Sequence, residues 1–166
     1  AEVFAKYLKY QYGLQADFLE CKSTNCGKNI TYLLDLLKEN GVDFSSIILA
    51  QDSTMQYRME AGLRKYVGND VQIVNYAAYS AKVVVENAAL AYEQKIRGMW
   101  DMERYISLLM GEIPRLSDDE NGYGPKGKGF IAHVDIPSSV RNAFEELLDE
   151  YSFLVREANP AYASSK

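Results

Sequence analysis

Two short stretches carry the residue types best suited to holding a small ligand. The first is Ser23-Thr24-Asn25-Cys26-Gly27-Lys28-Asn29 and the second is Gln51-Asp52-Ser53-Thr54-Met55-Gln56-Tyr57-Arg58. Ser23, Thr24, Asn25 and Asn29 bring hydroxyls and amides that can hold a ribose, a phosphate or a carboxylate. They are also standard N-cap residues, and pattern alone favours capping. Asp52 can accept from sugar hydroxyls or an amino group, or it can serve the preference for negative charge at a helix start. Thr54 adds a hydroxyl. Arg58 presents a planar fork that suits a carboxylate or phosphate; the alternative is a solvated arginine or an ion pair with Glu60 or Asp52. Glu20 lies just upstream of the first stretch. Cys26 at a helix start is either a thiol of lowered pKa or a small buried residue.

Other patterns exclude chemistry. A single histidine, His133, rules out a histidine-cluster metal site, and no Gly-x-Ser-x-Gly elbow accompanies it. Cys21 and Cys26 are the only cysteines, too few for a disulfide framework or a zinc pattern, and they read as reduced thiols of a cytoplasmic protein. Gly122-Tyr123-Gly124-Pro125-Lys126-Gly127-Lys128 matches G-x-x-x-x-G-K by letter. It is not a P-loop, because Gly129 stands where Ser or Thr is needed, no strand precedes it and no helix follows. The 13 tyrosines read as amphipathic packing.

The elements that would position the two stretches follow from periodicity. Helices are expected over 2–12, 27–40 and 54–66, and strands over 16–20, 46–50 and 70–75. Strict helix–strand alternation predicts parallel βαβ units, and both polar loops then lie at the carboxyl edge of one sheet, lining one crevice. After Tyr79 the reading changes to helices over 82–95 and 100–110. A Gly-, Pro- and charge-rich loop runs from Gly111 to Gly129. Residues 130–134 read as a short strand or extended arm, and a last helix follows from Pro137 to about Tyr151. The tail Asn159–Lys166 reads as frayed. The organisation is thus an α/β portion over 1–80 and a mostly helical elaboration over 81–166.

The chain has 166 residues, 48% of them hydrophobic, enough for a real core. A net charge of −5 disfavours nucleic acid or an anionic lipid surface as partner. No apolar run approaches the about 20 residues of a membrane span.

As a set, these motifs resemble the YdcF/SanA family, a bacterial group of poorly defined function. Ser23-Thr24-Asn25-Cys26-Gly27-x-Asn29 is similar to that family's S-T-N-[TC]-G-E-N signature, and Gln51-Asp52-x-Thr54-Met55-Gln56-x-Arg58 to its Q-[DP]-x-x-M-x-R-R segment. The YdcF branch also matches Glu103-Arg104-Tyr105 to Leu109, Gly111-Glu112-x-Pro114-Arg115-Leu116, Gly122-Tyr123-Gly124-Pro125 and His133-Val134-Asp135. The resemblance spans about 1 to 145. It implies an α/β, Rossmann-like fold: a parallel three-layer sheet with a helical C-terminal elaboration, here lacking its N-terminal strands, which another segment or another chain would supply. It implies a nucleotide-type ligand, S-adenosyl-L-methionine, with Asn25, Asn29, Asp52 and Arg58 at matching positions. Lys28 replaces the signature Glu, and Tyr57 replaces one Arg of the pair. The leading expectation is a small-molecule-binding protein, as a transferase of unknown acceptor. A non-enzymatic ligand sensor or envelope-associated interaction module is the alternative, and hydrolysis of a phosphorylated substrate a third.

Overall fold

The computed structural model describes residues 1–155, so the tail Asn159–Lys166 lies outside the described residues. The chain divides into two compact units, one over Ala1–Ser45 and one that begins at Ser46. The secondary structure is mixed α/β, with five α-helices and two two-stranded sheets among the described residues.

The first unit holds α1 (Glu2–Tyr12) and α2 (Cys26–Glu39). Gly13 closes α1 at φ 67°, a left-handed conformation that costs glycine nothing, and its N–H reaches the carbonyls of Leu8 and Lys9. Asn25 caps α2 through its side-chain oxygen, which accepts from the Lys28 N–H at 2.9 Å. Ile30 is the buried residue of α2. The helix ends at Asn40-Gly41 as its sequence predicts, with Gly41 at φ 66°.

Between these helices the expected strand over 16–20 does not form. An extended segment becomes a strand only when a neighbour completes its hydrogen-bond ladder, and no strand of the first unit does so. Glu20 instead folds back on its own chain, accepting from the N–H groups of Lys22 at 2.5 Å and Ser23 at 3.0 Å.

The second unit opens with a βαβ motif: β1 (Ser46–Gln51), α3 (Gln56–Arg64) and β2 (Gln72–Ala77). The strands are parallel, in register from Ser46 opposite Gln72 to Gln51 opposite Ala77. Helix α3 buries Met59, Ala61 and Leu63. Ile47, Leu49 and Ile73 are half-buried, whereas Ile48 and Tyr76 are 70% and 60% exposed. The sheet is therefore a parallel pair rather than the three strands that alternation predicts.

The helix expected over 82–95 is an antiparallel hairpin, β3 (Val83–Glu86) with β4 (Ala89–Tyr92). Three consecutive valines favour a strand. Asn87 and Ala88 take φ 50° and 62°, the positive values that a two-residue hairpin turn requires.

Helix α4 (Met102–Leu116) outruns its expected end near 110, passing Gly111 and Pro114. Pro114 removes one N–H, but the last turn is closed at the carbonyl of Ile113 by both the N–H (3.1 Å) and the hydroxyl (3.0 Å) of Ser117. Tyr105, Met110 and Leu116 of α4 are buried. Residues 130–136 form the extended arm rather than a strand, tied to α3 by the Ala132 N–H on the Ala61 carbonyl at 2.9 Å. Ala61, Leu116 and Ile131 form a small core there, against which Tyr123, Val134 and Ile136 pack. Helix α5 (Ser138–Tyr151) begins after Pro137 as expected.

Candidate functional site

The carboxyl end of β1 runs directly into a turn and then into α3. Asp52 organises the turn: its Oδ1 accepts from the Thr54 N–H at 2.9 Å and the Thr54 hydroxyl at 2.8 Å, and its carbonyl accepts from Met55 at 3.0 Å. Its other carboxylate oxygen accepts from the Tyr79 hydroxyl. The turn thus uses its polar side chains on itself. Met55 stands at the N-cap of α3 and offers no side-chain hydrogen bond. An uncapped helix start presents backbone N–H groups and positive partial charge to an anion.

Buried Gln56 fixes the start of α3 to both strands. Its amide nitrogen donates to the Leu49 carbonyl at 3.0 Å and to the Asn75 side chain at 2.7 Å. Asn75 in turn donates to Glu60 at 2.5 Å. The buried amide oxygen of Gln56 has no protein partner.

Arg58 turns to α4. Its Nε lies 2.6 Å from one Glu112 oxygen and its terminal nitrogen 2.8 Å from the other, a two-pronged pair whose side chains are 13% and 7% exposed. The pair joins residues 54 apart in the chain.

Around Asp52 gathers a group of tyrosines that the sequence reading treated as packing. Tyr79 has its pKa raised by burial first and then by its hydrogen bond to Asp52. Tyr105 is raised by burial and then by the Asp52 charge, and Tyr92 by burial, then by Tyr105 and Asp101, and last by Asp52. Tyr92 donates to the Trp100 carbonyl at 3.0 Å and stands edge-to-face with Tyr105, ring centres 5.4 Å apart. These phenols therefore stay protonated at neutral pH and act as hydrogen-bond donors, not as bases. Only their convergence in space marks them, since Tyr79, Tyr92 and Tyr105 share no motif.

In the first unit, Asn25 is engaged as the cap of α2. Ser23 is half-buried, and its hydrogen bonds hold the Glu20 carboxyl below the usual range. Thr24 and Asn29 are exposed. Cys26 is half-buried and unoxidised.

The Gly-rich stretch after α4 is a tightly folded loop. The N–H of Tyr123 reaches Arg115 and that of Gly124 reaches Ser117, while Phe130 and Ile131 both donate to Tyr123. A Cβ on Gly122 would stand 1.9 Å from the Ser117 carbonyl oxygen, and one on Gly124 2.8 Å from the Asp118 backbone. The glycines serve close backbone packing here. Neither a strand before the loop nor a helix after it gives it the setting of a phosphate cradle.

No protein-family model matches the chain. No helix among the described residues is long and apolar enough to cross a membrane.

Proposed function

We propose that the chain binds a nucleotide-type small molecule, S-adenosyl-L-methionine in the first instance, at the turn between β1 and α3. The observation that carries this reading is the uncapped start of α3 beside Asp52 at the carboxyl end of a parallel strand. The α3 N–H groups suit a carboxylate or phosphate. A carboxylate has about four acceptor positions, so Asp52 retains capacity for ligand hydroxyls beside Thr54 and Tyr79. Arg58 fits a supporting role better than ligand contact, because its fork is held by Glu112. Ser23, Thr24, Asn25 and Asn29 are a second candidate surface for the same ligand class.

The kinship that the motifs suggest is with the YdcF/SanA family. In this reading the β1–α3–β2 motif belongs to a larger Rossmann-like, three-layer sheet of a cytoplasmic protein, its further strands coming from another segment or another chain. Exposed Ile48 and Tyr76 support it, since parallel sheets are covered on both faces. Transfer to an unknown acceptor would follow if a second substrate binds. A ligand sensor is the alternative, and the tyrosines around Asp52 favour it by offering donors without a base.

Calorimetry with S-adenosyl-L-methionine and with ATP tests the proposal. Saturable binding is expected, weakened about tenfold, or roughly 1.4 kcal/mol, by Asp52→Asn. Absence of binding of either compound at millimolar concentration to the folded protein overturns it.

A further inference from the structure

His133, the only histidine of the chain, lies between two carboxylates. Its Nδ1 is 2.7 Å from an Asp118 oxygen and its Nε2 is 3.0 Å from an Asp135 oxygen. A neutral imidazole has one N–H and one lone pair, so it can donate to only one of them. Both contacts together require an imidazolium. We propose that His133 is a proton-operated clasp, holding Asp135 to the Gly-rich loop while doubly protonated and letting Asp135 go when one proton leaves.

The two contacts are unequal, and that decides which one opens. Asp118 is mostly shielded (side chain 11% exposed), and its second oxygen accepts from the Lys126 N–H at 2.7 Å. Those bonds hold the Asp118 carboxyl below its usual range, the Lys126 N–H first and His133 after it. Asp135 is fully exposed, and its contact with the ring is the longer one. Loss of the Nε2 proton to solvent keeps the Nδ1–H donating to Asp118 and sets a lone pair against the Asp135 carboxylate. Asp135 belongs to the arm that carries Val134 and Ile136 to the start of α5.

The surrounding charges agree with this order. The loop contributes Asp118 and Lys126, the arm contributes Asp135, and α3 contributes Lys65, which bonds the Gly129 carbonyl rather than the ring. No ion pair reaches the ring from α3, α4 or α5 among the described residues. The flanking carboxylates raise the His133 pKa above 6.5. A group whose folded pKa is raised contributes stability that is fully present below its unfolded value and is lost as pH rises through the folded value. The clasp is therefore closed through the ordinary imidazole range and opens only as pH rises through the raised folded value. The carboxylates sit on opposite ring nitrogens, so the trio does not converge on a single point as metal ligands would.

One histidine gives one set of imidazole resonances, which makes the test direct. Proton NMR titration of the full chain from pH 5 to 9 should give a His133 midpoint above 6.5. Asp118→Asn should lower it, and Asp135→Asn should lower it by less. In the wild type the Asp135 side-chain and arm signals should shift with the same midpoint, whereas the Lys126 amide stays protected from exchange. A midpoint at or below 6.5 overturns the proposal. So does a midpoint that neither substitution moves, or an arm that does not follow the ring. Because the wild-type titration alone decides the first point, a variant that fails to fold leaves the proposal testable.

Discussion

Glu112→Ala tests the pair that ties α3 to α4. Two hydrogen bonds of 2.6 and 2.8 Å join Glu112 to Arg58, with side chains 7% and 13% exposed. At such burial neither charge is screened as a surface pair would be. Removing the carboxylate takes from the shielded guanidinium its two-pronged partner, and breaking a buried pair from one side costs about 3–5 kcal/mol. Whole domains are stable by only about 5–15 kcal/mol, so the variant approaches the edge of folding. At about 2–4 °C per kcal/mol for a chain of this size, the midpoint should fall by roughly 6–20 °C. Trp100 is the only tryptophan and lies in the second unit, so its fluorescence during thermal and urea unfolding reads the unit concerned. The double variant Arg58→Met/Glu112→Leu should recover most of the loss, because apolar residues of similar volume remove both charges at once. A loss below about 1 kcal/mol for Glu112→Ala, or a double variant as unstable as the single, would refute the argument that burial makes this pair matter.

Two further outcomes follow from backbone geometry. Gly122→Ala places a Cβ 1.9 Å from the Ser117 carbonyl, a clash with backbone that cannot swing away; it should cost about 3 kcal/mol, seen as a lower urea midpoint. Ala88→Gly relieves a left-handed residue at φ 62° in the hairpin turn. The gain should be about 0.5–1 kcal/mol after the entropy of glycine is set against it, measurable by the slower exchange of the Val84 and Ala91 amides, which the alternation of the ladder places in a hydrogen-bonded pair.

The legible part of the fold is the part governed by local signals. Asn40-Gly41 stops α2, and the apolar runs after Ser45 and Asn69 pair as parallel strands around an amphipathic helix. The misread parts depend on a competition that spacing alone does not settle. Val83, Val84, Leu90 and Ala91 recur at helical intervals, but β-branching and the turn at Asn87-Ala88 favour the hairpin. Gly111 and Pro114 look like a helix end, yet Leu116 is buried two residues beyond Pro114 and Ser117 closes the final turn. Ala16–Glu20 has a strand's composition without a partner, and pairing is a property of two segments.

The two polar stretches differ for a reason of register. Asn25 immediately precedes α2, so its side chain reaches the N–H three residues on and satisfies the helix start. In the second stretch α3 begins only at Gln56, which puts Met55 at the cap and leaves Asp52 three residues and Thr54 one residue too early to serve it. Similar letters therefore build a closed helix start in one unit and an open one in the other. Arg58 completes the contrast. Its position within the first turn of α3 suggests a hand for a ligand, but Glu112 takes that hand from α4, and only packing of the two helices reveals it. On the proposed reading, the charge left to recognise an anion at this turn is thus that of the peptide groups. Such a site discriminates by the approach of the backbone rather than by a mobile side chain, and the Asp52→Asn and Glu112→Ala variants should separate in consequence: the first acts on affinity, the second on stability.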